Sequence, residues 1–306
     1  MRRDRSSRIL VSIVLVALLA TVLLARVASF RETRQAATTP GASILSISVL
    51  DVGQADSIVV RSPAGRTMLV DAGNERKDAE QVVLPYLKRH GISSLDYLVL
   101  THPHQDHVGG MPALLDGIKV AAFVDPVQPG AGNQAYLQTL QRVQSKGVKA
   151  IKARRGQTEI DLGPETQVQL LAPEEPLLTD VESFENANSV VIRLQFGRVA
   201  ALLTGDIEGK TEERLLSHGD DLRSQILKVA HHGSRYASTD RFLDAVRPEA
   251  ALVSVGAGNS YGHPHRETID RLERRRIQIF RTDQNGTIEV TTDGRDYRVA
   301  VERQGG

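Results

Sequence analysis

The chain has 306 residues, 41% hydrophobic and 25% charged with no cysteine, which excludes a disordered protein, a thiol nucleophile and thiolate metal sites. A chain of this length and composition can bury a core of its own. The formal charge is +1, but residues 30–306 carry 33 basic and 36 acidic side chains. This slightly acidic balance argues against strong non-specific binding of nucleic acid, because proteins that bind in this way usually have a basic surface.

The first predicted element is an apolar helix at the N-terminus. Four of the first eight residues are arginines, and an uncharged, mostly apolar run over residues 9–25 follows them and ends at Arg26. A run of about 17 residues is near the lower limit for crossing a bilayer and longer than most cleaved signal sequences. Because the arginine-rich flank stays on the cytoplasmic side, we expect residues 1–30 to form a signal anchor or a signal peptide. The rest of the chain would then be membrane-anchored on the extracytoplasmic side, or secreted if the segment is cleaved.

A polar linker is predicted over residues 31–43, and a folded hydrolase domain over residues 44–306. Its apolar runs predict strands over residues 44–51, 57–61, 67–70, 95–100, 120–124, 149–153, 168–171, 189–196, 199–203, 226–230, 250–255, 278–281, 287–291 and 297–301. Helical periodicity predicts helices over residues 79–89, 111–117, 134–146, 210–217, 239–246 and 265–275. This alternation of strands and helices predicts an α/β fold.

A histidine-rich motif directly follows the strand predicted over residues 95–100. The motif reads Thr101-His102-Pro103-His104-Gln105-Asp106-His107-Val108-Gly109-Gly110. Imidazole and carboxylate ligands suit Zn²⁺, Mn²⁺ or Fe²⁺, whereas Ca²⁺ and Mg²⁺ prefer oxygen ligands alone. We predict that His102 and His104 bind one ion, and that Asp106 and His107 bind a second. Such a pair of ions can activate a water molecule and stabilise the leaving oxygen in hydrolysis.

Further candidate ligands follow other predicted strands. Asp71, Asp206 and the pair His231-His232 each come directly after an apolar run. Because polar groups at successive strand ends converge at one edge of a layered fold, we expect them beside the histidine motif. Asp206 is the candidate to bridge the two ions. Of the adjacent histidines, which point in different directions from a strand end, we prefer His232 as the ligand, leaving His231 for the substrate or for proton transfer.

Five more side chains are candidates for contacts around the ions. We expect Asp71 to orient a ligand histidine through a hydrogen bond. His263 lies in a loop before a helix and is a candidate to bind the substrate or protonate the leaving group, with helix capping as the alternative. Asn186 and Asn188 are candidates for an amide ligand or a substrate contact, with a polar turn as the alternative. Ser234 follows a glycine that leaves room for a phosphate-sized group.

Together these motifs resemble those of the metallo-β-lactamase superfamily, and more narrowly the hydrolase domains of the ComEC competence proteins. The narrower resemblance extends over residues 44–301 and is carried by five segments, Leu50–Ser57, Asn186–Ser189, Leu203–Asp206, Lys228–Ser234 and Tyr261–His265. It implies an αββα four-layer sandwich with two divalent ions, zinc or manganese, at one edge. It also implies that Asp56 supports the site and that the asparagine segment lies close to the ions.

The resemblance implies a phosphodiesterase or nuclease that uses a hydroxide shared by the two ions, with Asp106, His231 and His263 as catalytic residues. DNA at the cell surface is the first substrate candidate, and the DNA-uptake machinery the first partner. Many relatives in this group have an aspartate where this chain has His104, and their polytopic channel is replaced here by one predicted membrane segment. Two alternatives are a hydrolase of small phosphodiesters or esters of the cell envelope, resembling the phosphorylcholine esterases, and a non-enzymatic membrane-tethered binding module.

Overall fold

The computed structural model describes residues 43–157 and 159–303. In this part of the chain the strands are β1 Leu45–Val49, β2 Ile58–Arg61, β3 Thr67–Val70, β4 Ser94–Val99, β5 Lys119–Asp125, β6 Lys149–Lys152, β7 Thr166–Ala172, β8 Val191–Phe196, β9 Val199–Leu203, β10 Ile226–Lys228, β11 Ala250–Val253, β12 Gln278–Arg281, β13 Ile288–Thr292 and β14 Tyr297–Val301. The predicted membrane segment over residues 1–30 lies outside the described residues. Among those that are described, no helix has the length and apolar character needed to cross a membrane.

The strands form two sheets, each with a parallel half. One sheet has eight strands in the order β14-β13-β1-β2-β3-β4-β5-β6, and the other has six in the order β12-β11-β10-β9-β8-β7. In the first sheet β3 to β6 pair in parallel, and in the second β9 to β12 do so. The carboxyl ends of neighbouring strands in each parallel half therefore meet at one edge of the sheet.

Side-chain alternation along the strands explains how each sheet is covered on both faces. On β2, Val60 belongs to the core between the two sheets, whereas its neighbour Val59 packs under the helices outside. On β9, Leu203 likewise belongs to the core between the sheets, and Leu202 packs under the helices outside. Because successive side chains of a strand point to opposite faces, a continuous apolar run fits a strand that is buried on both sides.

Helices form the two outer layers. Their bounds are Arg76–Asp78, Leu84–Arg89, Gln105–Val108, Met111–Gly117, Gln134–Ser145, Phe184–Ala187, Gly209–Ser217, Asp240–Val246, Arg266–Arg274 and Thr282–Asn285, with a π-helical turn at Ala79–Val83 and a 3₁₀ turn at Ala230–Gly233. The predicted mixed α/β fold with two packed sheets is confirmed, and the order of layers is αββα. The four-residue helices and the 3₁₀ turn were not predicted, because so few residues show no apolar period.

Candidate metal centre

The candidate ligands lie at the carboxyl ends of four strands. Asp71 directly follows β3, and the histidine motif follows β4, which pairs in parallel with β3. In the other sheet Asp206 follows β9 and His231 follows β10, again a parallel pair. Both sheets contribute, since His107 of the first sheet and Asp206 of the second approach to 3.3 Å between Nε2 and Oδ2. The predicted convergence at one sheet edge is thus observed.

Four side chains form a compact cluster at this edge, which we call the inner cluster. They are Asp106, His107, Asp206 and His232, and each offers a ligand atom within 4.8 Å of those of the other three. The Oδ2 atom of Asp206 lies 3.3 Å from His107 Nε2 and 3.5 Å from His232 Nε2. Asp106 Oδ2 lies 3.3 Å from His232 Nε2 and 3.9 Å from His107 Nε2. Two imidazoles and two carboxylates converging in this way form a suitable ligand set for a transition-metal ion.

Atoms without hydrogen bonds mark where an ion would fit. Within the described part of the chain, His107 Nε2, His232 Nε2 and Asp206 Oδ1 are buried and have no hydrogen-bond partner. Buried polar atoms are normally hydrogen-bonded, and leaving one unpaired costs about 1–3 kcal/mol. All three atoms belong to the inner cluster, so these residues fit a metal ion, which would pair with them.

His107 is oriented from behind by Asp71, as the sequence predicted for a ligand histidine. Its Nδ1 donates to Asp71 Oδ2 at 2.7 Å, so that Nε2 is the atom directed to the inner cluster. Asp71 also accepts from the backbone N–H of Thr101 at 2.8 Å and from its hydroxyl at 2.7 Å. Burial raises the pKa of Asp71, and although burial lowers the pKa of His107, Asp206 and Asp71 together bring it well above its usual value.

His232 has two supports on its other ring nitrogen. Its Nδ1 lies 2.8 Å from the carbonyl oxygen of Ser254 and 3.5 Å from Asp56 Oδ1. Asp56 is itself paired with Lys228, whose Nζ lies 2.7 Å from Asp56 Oδ2 with both side chains buried. Burial lowers the pKa of His232, but Asp206 and Asp56 outweigh it, and the pKa is raised. The supporting role of Asp56 implied by the resemblance thus has a structural counterpart, whereas Lys228 behind it was not predicted.

Both adjacent histidines approach the same carboxylate, although their rings are 6.2 Å apart and inclined at 65° to each other. The backbone is left-handed at His231 (φ 48°, ψ 49°) and at His232 (φ 52°, ψ 21°), within the turn over residues 230–233. Their Nε2 atoms lie 3.9 Å and 3.5 Å from Asp206 Oδ2. Extended backbone would send neighbouring side chains to opposite faces, and the left-handed turn removes that alternation. Asp71 also has a positive φ, 59°.

His102 and His104 lie beside the inner cluster but are bonded to each other. His102 Nε2 and His104 Nδ1 form a hydrogen bond of 3.0 Å, and His102 Nδ1 lies 3.1 Å from the Thr101 hydroxyl. His102 is fully buried with its Nε2 4.0 Å from Asp206 Oδ2. The side chain of His104 is 41% exposed, and its Nε2 lies 3.9 Å from Glu185 Oε2. The structure therefore brings both predicted ligands to the site without gathering them around a common point.

Gly109 and Gly110, which follow the histidines, lie where the structure leaves no room for a side chain. Neither has a positive φ; the backbone is at φ −57° at Gly109 and φ −85° at Gly110. A Cβ atom at Gly109 would overlap the carbonyl oxygen of Asn74, and one at Gly110 would overlap that of Ala72. What these glycines allow is therefore the close approach of two backbone segments.

His231 and His263 line the solvent side of the inner cluster. His231 Nδ1 donates to Glu208 Oε1 at 2.8 Å, a partner that the sequence reasoning missed. The ring of His263 lies 5.4 Å from that of His231 and stacks against the exposed Tyr261 at 5.7 Å. Asn259 fixes the loop, because it accepts from the His263 N–H at 3.0 Å and donates to its carbonyl. Burial and the neighbouring histidines lower the pKa of His263 to about 4.

The two candidate asparagines differ in what they do. Asn188 accepts from the N–H of Leu178 and donates to the carbonyls of Leu178 and Phe184, so its amide holds a loop together. Asn186 is also buried, but its Oδ1 has no hydrogen-bond partner among the residues described. Asn186 therefore remains a candidate for binding, whereas the polar-turn alternative fits Asn188.

Ser234 takes part in a turn, and its side chain is buried. Its hydroxyl accepts from the N–H of Tyr236 at 3.3 Å, and its carbonyl accepts from the Thr268 hydroxyl at 2.8 Å. The preceding Gly233 packs so closely on Pro264 that an added Cβ would lie 2.5 Å from the proline Cβ. The room expected at this glycine is therefore filled by Pro264.

Comparison with known proteins places this fold and site in a family. A model of the metallo-beta-lactamase superfamily matches residues 50–257. The chain is 33% identical over 258 residues to ComE operon protein 3 of Bacillus subtilis (strain 168), covering 79% of this chain and 32% of that protein. It is 34% identical over 245 residues to competence protein ComA of Neisseria gonorrhoeae, covering 80% and 32%. It thus spans about a third of the length of the curated relatives it matches. The chain belongs to the metallo-beta-lactamase superfamily, and these relatives are ComEC-type competence proteins.

Proposed function

We propose that this chain is a metal-dependent phosphodiesterase that acts outside the cytoplasm, tethered by its N-terminal segment. The observation that carries the proposal is the inner cluster, whose unpaired buried atoms converge at the edge of both sheets. A purely structural metal site is usually closed by its ligands. Here His231 and the exposed His104 border the cluster on the solvent side, so a substrate can approach it.

The residues of the chain would divide the work of hydrolysis as follows. Asp106, His107, Asp206 and His232 would hold one ion, and His102, His104 and Asp206 would hold the second. When bound, such ions supply Lewis acidity and an activated water molecule. Asp71 keeps His107 in its orientation through the 2.7 Å hydrogen bond.

His231 would hold a proton beside the leaving oxygen. Its Nδ1 is fixed by Glu208 at 2.8 Å, and its Nε2 lies 3.9 Å from Asp206 Oδ2, facing the inner cluster. A histidine positioned in this way can serve as a general acid. The ring of His263 lies edge-on beside it and would contact the substrate.

DNA is the first substrate candidate because the relatives carry the names of competence proteins. Two of the arginines in helix Arg266–Arg274 and directly after it are engaged with other groups of the chain. Arg271 donates to the carbonyls of Arg235 and Ala237, and Arg275 pairs with Asp240 and Asp244. Cleavage of DNA should nevertheless fall steeply with salt concentration, because binding of a polyanion releases counterions, whereas cleavage of a small ester should not.

The test is hydrolysis by the full chain, purified metal-free and supplied with Mn²⁺ or Zn²⁺. Plasmid DNA, single-stranded DNA and bis(p-nitrophenyl) phosphate serve as substrates. Asp206→Asn should lower the rate at least about 100-fold, since even the groups that orient ligands are worth 10–100-fold. Asp221→Asn is the matched control, because Asp221 is exposed and pairs with its near neighbour Arg223. If wild type and Asp206→Asn are equally inactive on all three substrates, the proposal fails.

A second candidate, hydrolysis of small cell-envelope phosphodiesters or esters, is favoured by a cavity beside the site. The cavity has a volume of about 480 Å³ and is bordered by Glu208, the partner of His231. Its other charged lining residues are Asp180, Glu182, Glu213 and Lys210, and the exposed ring of Tyr236 completes it. Such a lining repels a polyanion and suits a cationic head group. This candidate predicts that the chain cleaves a choline phosphodiester but not DNA. It also predicts that Glu213→Gln raises the KM for the choline phosphodiester.

A further inference from the structure

The two halves of the metal centre differ in how ready they are to bind an ion. In the inner cluster, the ligand atoms His107 Nε2 and His232 Nε2 are buried with no hydrogen-bond partner in the described part of the chain. The other nitrogen of each ring is already held, by Asp71 at 2.7 Å and by the Ser254 carbonyl at 2.8 Å. Both rings therefore have the orientation needed for binding, and an ion would displace no hydrogen bond from either Nε2.

The outer pair, His102 and His104, is in the opposite state. Both ring nitrogens of His102 are engaged, one with the Thr101 hydroxyl and the other with His104 Nδ1. An ion bound by His102 through Nε2 must therefore break the 3.0 Å hydrogen bond between the two rings. His104 is 41% exposed, and within the described residues no group orients it from behind as Asp71 orients His107. Ordering an exposed side chain on binding costs conformational entropy, which lowers the affinity.

A further ligand for an ion at the outer pair would come from the segment over residues 185–189. Glu185 Oε2 lies 3.9 Å from His104 Nε2, and the next residue, Asn186, has a buried Oδ1 without a hydrogen-bond partner among the residues described. His107 is the one further histidine that the described part of the chain places next to His102, with the two rings 4.1 Å apart, and its Nε2 already faces the inner cluster. An amide oxygen is a weaker ligand than imidazole for the ions that histidine selects.

We propose that the two ions bind in a fixed order and with unequal affinity, the first in the inner cluster and the second at His102 and His104. This proposal rests on the two-ion site of the proposed function. The inner site is formed before binding, whereas the outer site must break a hydrogen bond and order a side chain. The second ion should therefore bind at least about 10-fold more weakly than the first, one step of about 1.4 kcal/mol in affinity.

The test is a titration of the metal-free full chain with Co²⁺, followed by calorimetry and by the visible absorption of the bound ion. We expect two steps for the wild type, the first with a Kd at least 10-fold lower than the second. His104→Ala should keep the first step and lose the second, and Asn186→Ala should weaken only the second. Asp221→Asn, a change of an exposed side chain outside both sites, is the control and should reproduce both wild-type steps.

Loss of the first step in His104→Ala, or a single step with two equal sites in the wild type, would overturn the order. Binding of no ion or of a single ion by the wild type would overturn it as well. His232→Ala is expected to lose the tight step, and His104→Ala and Asn186→Ala decide the matter even if that buried variant does not fold. Binding is measured without turnover, so the two proposals can fail separately. Ordered binding of two ions without hydrolysis would support this proposal and overturn the proposed function. Hydrolysis together with two sites of equal affinity would support the proposed function and overturn the binding order.

Discussion

Replacement of Lys228 by methionine tests whether the buried charge pair behind His232 is needed for the fold. Lys228 is fully buried on β10, and its Nζ lies 2.7 Å from Asp56 Oδ2 and 3.1 Å from the carbonyl oxygen of Val229. Methionine is close to lysine in shape, so Lys228→Met removes the charge and leaves the packing nearly unchanged. The Asp56 carboxylate then stays buried without its partner, 3.5 Å from His232 Nδ1.

Loss of one partner of a buried ion pair costs about 3–5 kcal/mol, because the remaining charge is left in a poorly solvating environment. A loss of about 4 kcal/mol lowers Tm by roughly 10 °C for a domain of this size. The measurement is urea unfolding of the full chain in its metal-free form, which avoids any contribution of metal binding to stability. The double variant Lys228→Met with Asp56→Asn should be more stable than Lys228→Met alone, because it removes the isolated charge.

Lys152→Met is the matched control. Lys152 pairs with Glu175 at 2.6 Å, a similar distance, but the side chains are 49% and 56% exposed. Exposed pairs contribute about 0–1 kcal/mol, so the same substitution should have little effect here. If Lys228→Met is no more destabilising than Lys152→Met, the buried pair does not have the energetic role argued from its burial.

Two further predictions concern the glycines and the pH dependence of metal binding. Gly110→Ala should destabilise the fold by more than about 4 kcal/mol in urea unfolding, because its Cβ would overlap the backbone of Ala72, whereas Gly132→Ala, with 3.8 Å to its nearest neighbour, should be nearly neutral. Metal binding should release protons, because the raised pKa values of His107 and His232 leave these rings protonated below those values, and an ion must displace the protons. Affinity should then rise with pH until both rings are neutral; a calorimetric heat that is independent of the buffer's ionisation enthalpy would contradict this.

The strands could be predicted from the sequence because most of them are continuous apolar runs that end in polar or glycine residues. β3, β9, β12 and β14 have the predicted bounds, and the other strands differ by one or two residues at their ends. Strand order and the pairing of the two sheets are long-range properties that such runs do not encode. The short helix Gln105–Val108 was missed for a different reason, since four residues cannot show a helical period and its ligands indicated a loop.

The candidate site could be predicted as far as its ligand types and their place at strand ends, because chemistry and local position are both visible in a sequence. The supporting contacts could not. In the sequence, Lys228 is a charged residue at a strand end, where an exposed side chain would be expected. It is buried because Asp56 approaches from the other sheet and pairs with its charge. Glu208 likewise reads as a helix-flanking charge until the fold brings His231 to it. Each of these roles depends on a partner far away in the chain.

The left-handed turn at His231 and His232 shows why local reasoning failed at the centre of the site. Each residue held in this conformation costs roughly 1–2 kcal/mol, so a sequence rule correctly disfavours it. The turn persists because the chain on both sides is fixed: the Val229 N–H donates to Leu252, and Gly233 packs on Pro264. In return, two adjacent imidazoles face one carboxylate from different directions. His232 is buried in the inner cluster and His231 is partly exposed beside it, which are the positions that the proposed function requires for a metal ligand and for a group that contacts the substrate.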